Sequence, residues 1–318
     1  MSIVCSGSVA YDYLMSFPGY FREHILPDRL ESISLSFLVD NMVRQRGGTA
    51  PNIAYTLALL GEHPQVLATV GEDFAEYRTW LESKGVDTSL TKVVPGTYTA
   101  SFFANTDRAN NQICSFYTGA MAHAATLSLR DLPAAPVLVI ISPNDPKAMD
   151  QNVAECKELG IPYLYDPSQQ IVRVSGDEIR RGVEGAASLF VNEYEFELLQ
   201  KHTGLTPSQV LERVGFLVVT LGEKGADIYA EGRVVRVPVV APKAILDPTG
   251  VGDAFRGGFV RGLRLKLDWE TCGKMGALAA AYCLETRGPQ EHHYTPAEFV
   301  ARFRESFDDQ GRLDVLLA

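Results

Sequence analysis

The sequence predicts an α/β protein with a mostly parallel sheet covered by helices on both faces and a second, smaller β-sheet. Three observations predict it. Short apolar runs recur at Ile3–Ser6, Val66–Val70, Leu138–Ser142, Tyr163–Asp166, Leu189–Asn192 and Leu217–Leu221. Their unbroken apolar character suits strands buried on both faces. Longer helical stretches alternate with these runs, which implies parallel βαβ units. Two stretches, 11–46 and 97–117, break that rhythm.

The elements follow in order. The helix expected over Pro51–Leu60 places Ile53, Leu57 and Leu60 on one stripe. Pro51 lies near its start and Gly61 past its end, the usual asymmetry of helix termini. Phe74–Lys84 is stopped by Gly85, and Asp253–Leu267 and Glu270–Glu285 are long and apolar or amphipathic. The stretch 11–46 holds short alternating runs such as Ile33–Leu38. Thr99–Asn105 and Gln112–Tyr117 flank the polar turn Thr106–Asn111 and read as hairpin strands. Both stretches are expected to pair as a small sheet. The large domain would then comprise 1–10, 49–96 and 122–318, and the small one 11–48 and 97–121. Ser6–Asp12 and Gly47–Gly48 would be the crossing points, where hinge-like backbone is expected.

Composition bounds the function. The 318 residues are 46% apolar and 21% charged, enough for about two domains with a sizeable core. Lys and Arg number 29 against 39 Asp and Glu, a net charge of −10. Such a chain is a poor generic partner for nucleic acid, whose binding rests on neutralising phosphates. Cys5, Cys114, Cys156, Cys272 and Cys283 form no C-x-x-C pair, which fits a reducing compartment. Met1–Ala10 lacks the features of a signal peptide, and runs such as Val137–Ile141 are too short to span a bilayer. A cytoplasmic protein with no membrane partner is expected.

The segment richest in chemistry is Asp247-Pro-Thr-Gly-Val-Gly-Asp-Ala-Phe-Arg-Gly-Gly-Phe259, which follows the run Val234–Val240 and opens a long helix. Gly250 and Gly252 permit a tight turn and close approach of a ligand. With Val251 they expose the first N–H groups of the helix, an anion site suited to a phosphoryl group. Asp253 at that site could cap the helix, or take a proton from a hydroxyl. There is no G-x-x-x-x-G-K-[ST] loop and no G-x-G-x-x-G turn, so neither a P-loop NTPase nor an ordinary dinucleotide dehydrogenase is indicated.

Four further segments carry candidates. Asn192-Glu-Tyr-Glu195 has the spacing of a capping box, yet its amide and carboxylate also suit Mg²⁺ and its waters. Thr220-Leu-Gly-Glu-Lys-Gly225 reads as a turn between strands, or as a hydroxyl and bare backbone (Thr220, Gly222, Gly225) for nucleotide phosphates. Arg46-Gly-Gly-Thr-Ala-Pro-Asn52 could be a flexible junction, with Asn52 placed to meet a polyol hydroxyl. In Ser6-Gly-Ser-Val-Ala-Tyr-Asp12, Asp12 is either a turn aspartate or the acceptor of a cis-diol.

Together these segments resemble the ribokinase-like (PfkB) family of carbohydrate and nucleoside kinases over essentially the whole chain. The stretches 36–40, 46–48, 115–121, 144–146, 166–170 and 247–256 look like the bacterial adenosine kinases within it. The resemblance implies a three-layer α/β/α large domain with a small β-sheet lid. It implies transfer of the ATP γ-phosphoryl group to the 5′-hydroxyl of adenosine, giving AMP in purine salvage. Asp253 would be the base, aided by Mg²⁺ and in some members by K⁺, for which carbonyls near Asp247 and Thr249 are candidates. It implicates Ser8, Asp12, Ser36, Gly48 and Asn52 in holding the nucleoside, with Phe102, Phe116, Met121, Gln169, Gln170 and Arg173. Asn192, Glu195, Thr220, Gly222, Gly225 and Gly252 would serve MgATP. Pairing of lids would give a homodimer. Phe102 and Phe116 suit stacking on a flat base, and Gln169-Gln170 can match a purine's donor and acceptor edges. Pro51 puts the start of the helix after Gly48 in question. The rivals are a kinase of the same family acting on ribose, fructose, inosine or guanosine, and a nucleoside-binding protein without catalysis.

Overall fold

The computed structural model describes residues 2–32 and 34–317. Its strands in chain order are β1 (Ile3–Ser6), β2 (Ala10–Ser16), β3 (Asn41–Gly47), β4 (Gln65–Val70), β5 (Thr91–Val93), β6 (Ala100–Thr106) and β7 (Gln112–Tyr117). They continue with β8 (Leu138–Ile141), β9 (Tyr163–Tyr165), β10 (Ser188–Asn192), β11 (Leu217–Thr220), β12 (Ala226–Ala230) and β13 (Arg233–Val237). The helices are α1 (Thr49–Leu59), α2 (Ala75–Ser83), α3 (Pro146–Leu159), α4 (Gly176–Val183) and α5 (Glu193–Thr203). After them come α6 (Pro207–Leu211), α7 (Val251–Arg264), α8 (Trp269–Leu284) and α9 (Pro296–Ser306).

The large sheet runs β13-β12-β11-β10-β9-β8-β1-β4-β5. It is parallel from β5 to β11, and β12 pairs antiparallel with both β11 and β13, so among the described strands of this sheet β12 alone runs against the others. Strand alternation divides its core in two. Ile3, Cys5, Val66, Ile140, Leu164, Phe190 and Val218 face α1, α7 and α8. Val4, Leu67, Val139, Ile141, Leu189, Val191 and Leu217 face α3, α4 and α5. Successive side chains of a strand point to opposite faces, so apolar runs cover both layers.

A four-stranded sheet, β3-β2-β6-β7, stands apart from the large one. Its strands lie at 10–16, 41–47, 100–106 and 112–117, in the two stretches that break the α/β rhythm. The register Asp12↔Phe102↔Phe116 puts these three residues in one row on one face.

Two expectations need correction. Ile33–Leu38 is not a strand: Ile33 lies outside the described residues, and 34–38 is irregular. Besides β2, the strand of that stretch is β3, whose Arg44, Gln45 and Arg46 hide it from an apolar pattern. Helix α1 begins at Thr49, two residues before Pro51. A proline in the first turn lacks only an N–H that has no helical acceptor anyway. Gly257 and Gly258 serve packing. A Cβ on Gly257 would lie 2.6 Å from Thr56 Cβ of α1, and one on Gly258 2.6 Å from the Met275 carbonyl of α8.

Candidate active site

The carboxyl ends of β1, β8, β9, β10 and β11, the start of α7 and one face of the small sheet enclose a cavity of about 610 Å³. That size suits a small organic ligand, and crevices beyond strand carboxyl ends are where open α/β sheets bind. Of the sequence-predicted residues, Ser8, Asp12, Gly48, Asn52, Phe102, Phe116, Met121, Gln169, Gln170, Arg173, Asn192, Glu195, Thr220, Gly250, Gly252 and Asp253 line it. Ser36 is exposed and lies outside it, as do Val251, Gly222 and Gly225. Gly225 has a packing reason instead: at φ 96° its Cβ would come 2.0 Å from the Val237 carbonyl. The Leu221 N–H donates to the Gly225 carbonyl at 2.8 Å, so 220–225 is the turn joining β11 to β12.

Helix α7 opens on Gly250, left-handed at φ 76°, and a Cβ there would lie 2.3 Å from Pro289 Cβ. Only glycine meets both conditions without strain. The N–H groups of Gly250, Gly252 and Asp253 find no acceptor among the described residues. Asp247 braces the loop, its two oxygens accepting from the N–H groups of Thr249 (2.9 Å) and Gly288 (3.0 Å). The Thr249 carbonyl faces the thiol of Cys283 at 3.5 Å.

Asp253 is held by a relay of side chains. Asn52 Nδ2 donates to Asp253 Oδ2 at 2.9 Å, and Gln290 Nε2 donates to Asn52 Oδ1 at 2.8 Å. Gln290 also donates to the Tyr77 hydroxyl, which donates to the Gly47 carbonyl at 2.9 Å. Asn52 therefore keeps one N–H for a ligand. Burial pushes the Asp253 carboxyl up to about 6, opposed by Arg256 and the Asn52 hydrogen bond and reinforced by Glu195. A base poised near neutrality suits proton transfer from an alcohol. Burial, with Asp247 adding repulsion, likewise raises Asp12 to about 6. Asp12 packs on Gly47, where a Cβ would intrude to 2.6 Å from its Oδ2.

At the far end Asn192 and Glu195 form the capping box of α5. The Glu195 N–H donates to Asn192 Oδ1 and the Asn192 N–H to Glu195 Oε2, both at 2.8 Å. Glu195 Oε1 makes no hydrogen bond to the described residues. Among those residues no cluster of three or more His, Cys, Asp or Glu side chains forms a metal cage. One free carboxylate oxygen beside an anion site still fits Mg²⁺, which keeps several waters and is bound largely through phosphates.

Sequence reasoning missed Ala10, Thr49, Pro143, Ser168 and Arg256, which also line the cavity, as does Thr249, expected only as a K⁺ candidate. Thr49 ties β1, β8 and α1 together, its Oγ1 3.0 Å from Ser142 Oγ and 3.2 Å from the Pro143 carbonyl. Ser168 is left-handed at φ 39°, a strain of the kind found at binding sites. Gln170 is buried and its Oε1 has no partner.

A doubly covered parallel sheet, a glycine-opened helix start and an aspartate facing a roofed cavity define an ATP-dependent phosphotransferase with an alcohol acceptor. The chain belongs to the pfkB family of carbohydrate kinases, whose profile matches residues 10–296. The structure of a Burkholderia thailandensis nucleoside kinase in complex with inosine is 37% identical, with a TM-score of 0.86 over 96% of this chain and 98% of that one. A nucleoside kinase of Methanocaldococcus jannaschii is 29% identical over 310 residues, 94% of this chain and 96% of its own length. The adenosine kinase of Sinorhizobium meliloti, 20% identical with a TM-score of 0.74 over 96% of this chain and 99% of that one, shares the fold. No helix among the described residues is long and apolar enough to cross a membrane.

Proposed function

We propose that this kinase phosphorylates the 5′-hydroxyl of a purine ribonucleoside, with adenosine as the first candidate. The observation that carries the reading is the row Asp12–Phe102–Phe116 on the small sheet, lining the same cavity as Asp253. A carboxylate beside two aromatic rings suits a ribose diol joined to a flat base. A plain sugar would have no use for the rings. The unpartnered Gln170 Oε1 is an acceptor for a base N–H. Names of the relatives above point to nucleosides as well.

In the reaction the acceptor oxygen bonds to the γ-phosphorus of ATP while the bond to the β–γ bridging oxygen breaks. Asp253 receives the hydroxyl proton and ADP leaves. The free N–H groups of Gly250, Gly252 and Asp253 hold the charge on the moving phosphoryl group. Thr220, Asn192 and Glu195 flank the polyphosphate. Asn192 and Glu195 would hold Mg²⁺, which would supply charge neutralisation for the phosphates. Small-sheet closure excludes water. A role for K⁺ near the Asp247 and Thr249 carbonyls belongs to the same reading.

A second reading, inosine as the preferred substrate, is favoured by the inosine complex of the Burkholderia thailandensis relative. A panel of adenosine, inosine, guanosine, ribose and fructose, scored by ADP formation, decides. The highest kcat/KM on adenosine supports the first reading and on inosine the second. Turnover confined to the free sugars overturns both, and nucleoside binding without ADP formation leaves only a binding protein. A homodimer through the small sheet fits the exposed Met42, Phe103, Ile113 and Tyr117. A monomeric mass in solution would remove it.

A further inference from the structure

The cavity wall holds one buried cation that the mechanism above leaves without a task. Arg256 lies one helical turn after Asp253 on α7, is 8% exposed and lines the cavity. The other lining cation, Arg173, is exposed at the rim. Two nitrogens of Arg256 face Asp166, just past β9: Nε approaches Oδ2 at 2.6 Å and Nη2 donates to Oδ1 at 2.7 Å. The third, Nη1, makes no hydrogen bond to the described residues. It lies against Gly252, where a Cβ would come 2.7 Å from Nη1 but 3.9 Å from Cζ, so Nη1 is the edge turned toward the helix start. Gly252 thus leaves room for a guanidinium beside the free amides of Gly250, Gly252 and Asp253.

A counter-ion for Asp166 would account for two of the three nitrogens. It would not account for the third: Nη1 has no hydrogen-bond partner among the described residues and is not among the buried unpartnered atoms, so it is a donor open to the cavity and available to a ligand. A buried ion pair is also weak support for a fold by itself, since apolar replacements of similar volume often serve as well. An anion taken up beside Gly252 would use that donor, and a guanidinium can grip a carboxylate with one edge and a phosphoryl oxygen with another. Three carboxylates, Asp166, Asp253 and Glu195, act on Arg256. Among the described residues lining the cavity it is the one buried positive side chain.

We propose that Arg256 is a further catalytic residue, its Nη1 donating to a non-bridging oxygen of the γ-phosphoryl group in flight, and that Asp166 is the positioning residue holding the guanidinium there. The proposal rests on the reading of Asp253 as the base. Arg256 exchanges no atom in the step: the acceptor oxygen bonds to phosphorus, the bridging oxygen leaves with its electron pair on ADP, and the proton goes to Asp253. The guanidinium stabilises charge that spreads over the phosphoryl oxygens on the way. Asp166 also opens the turn bearing Gln169 and Gln170, so one ion pair links the base-recognition turn to the phosphoryl end.

The test compares wild type with Arg256→Lys, which keeps a charge against Asp166, and with the double variant Asp166→Asn/Arg256→Gln, which replaces the ion pair by a neutral hydrogen-bonded one. Steady-state kinetics with ATP and the best nucleoside of the panel, nucleoside affinity by calorimetry without ATP, and thermal melting are read for each. The expected result is a kcat lower by about 10²–10³ in the double variant and at least about tenfold in Arg256→Lys, with nucleoside Kd within about threefold of wild type. A merely structural arginine would move melting and Kd instead. A folded variant of either kind with kcat within about threefold of wild type overturns the proposal while leaving the Asp253 reading intact. A wild type that transfers no phosphate to any nucleoside overturns both.

Discussion

The two ends of the cavity are built differently. At the phosphoryl end each functional side chain is held by another: Tyr77, Gln290, Asn52 and Asp253 form one relay, and Arg256 grips Asp166. At the small-sheet end Phe116 is 47% exposed, on an edge strand exposed along its whole length. Phosphoryl transfer depends on groups fixed in place before the reaction, because reorganisation at the moment of transfer would raise the barrier. Stacking on a flat ring is more forgiving, since every base offers a π-face. On the proposed reading, side chains are tethered where atoms would be exchanged and exposed where the base would be read.

The sharpest way to break this contrast is Asp253→Asn. Turnover should fall by about 10²–10⁴ with circular dichroism unchanged; near-full turnover would reject Asp253 as the base. The same variant should melt higher above pH 6, on the order of 1 kcal/mol in stability. The sign follows from the carboxyl being raised to about 6 in the fold against an ordinary value of 3.8. Ionised, it opposes folding above pH 6, and below about pH 4 the penalty is gone, so the two melting curves should converge there. In wild type, kcat/KM should drop as pH falls through about 6, because the base must be ionised.

Gly250→Ala meets Pro289 at 2.3 Å and a left-handed φ. It should lower kcat by about 10–10³ and stability by about 1–3 kcal/mol, read by kinetics and urea unfolding. At the recognition end the effects should be smaller and fall on binding. Asp12→Ala should weaken ribonucleosides by about 10–100-fold but spare analogues lacking ribose hydroxyls. Equal weakening of both would show that Asp12 is not the diol acceptor. Phe116→Ala should raise nucleoside KM by about 5–20-fold with kcat nearly unchanged. A larger kcat effect there than in Gly250→Ala would erase the contrast.

Much of this was legible in the sequence because the large domain obeys local rules. Apolar runs such as Leu138–Ile141 and Leu217–Thr220 are strands buried on both faces, and nothing competes with that reading. The Asp247–Phe259 segment announced its glycine-opened helix through residue types that permit little else. The small sheet was legible only as a break in rhythm. Its β3 carries Arg44 and Arg46, whose guanidinium groups lie over Tyr11 and Trp80, a tertiary contact that no periodicity encodes. Ser36 was expected at the site from resemblance alone, and the irregular chain around it leaves it in solvent. Arg256 stood in plain view within a quoted motif. Its partner Asp166 lies 90 residues away, so its orientation became readable only from the fold.

Gly47 occupies a junction where two functions meet. Its bare α-carbon seats the Asp12 carboxylate, and its carbonyl anchors the hydroxyl that begins the tether of Asp253. The Asp12 carboxylate and the anchor of the Asp253 tether therefore meet at a single residue. On the proposed reading, the ribose acceptor and the tether of the base would share this one glycine, so a substitution at Gly47 would disturb both together.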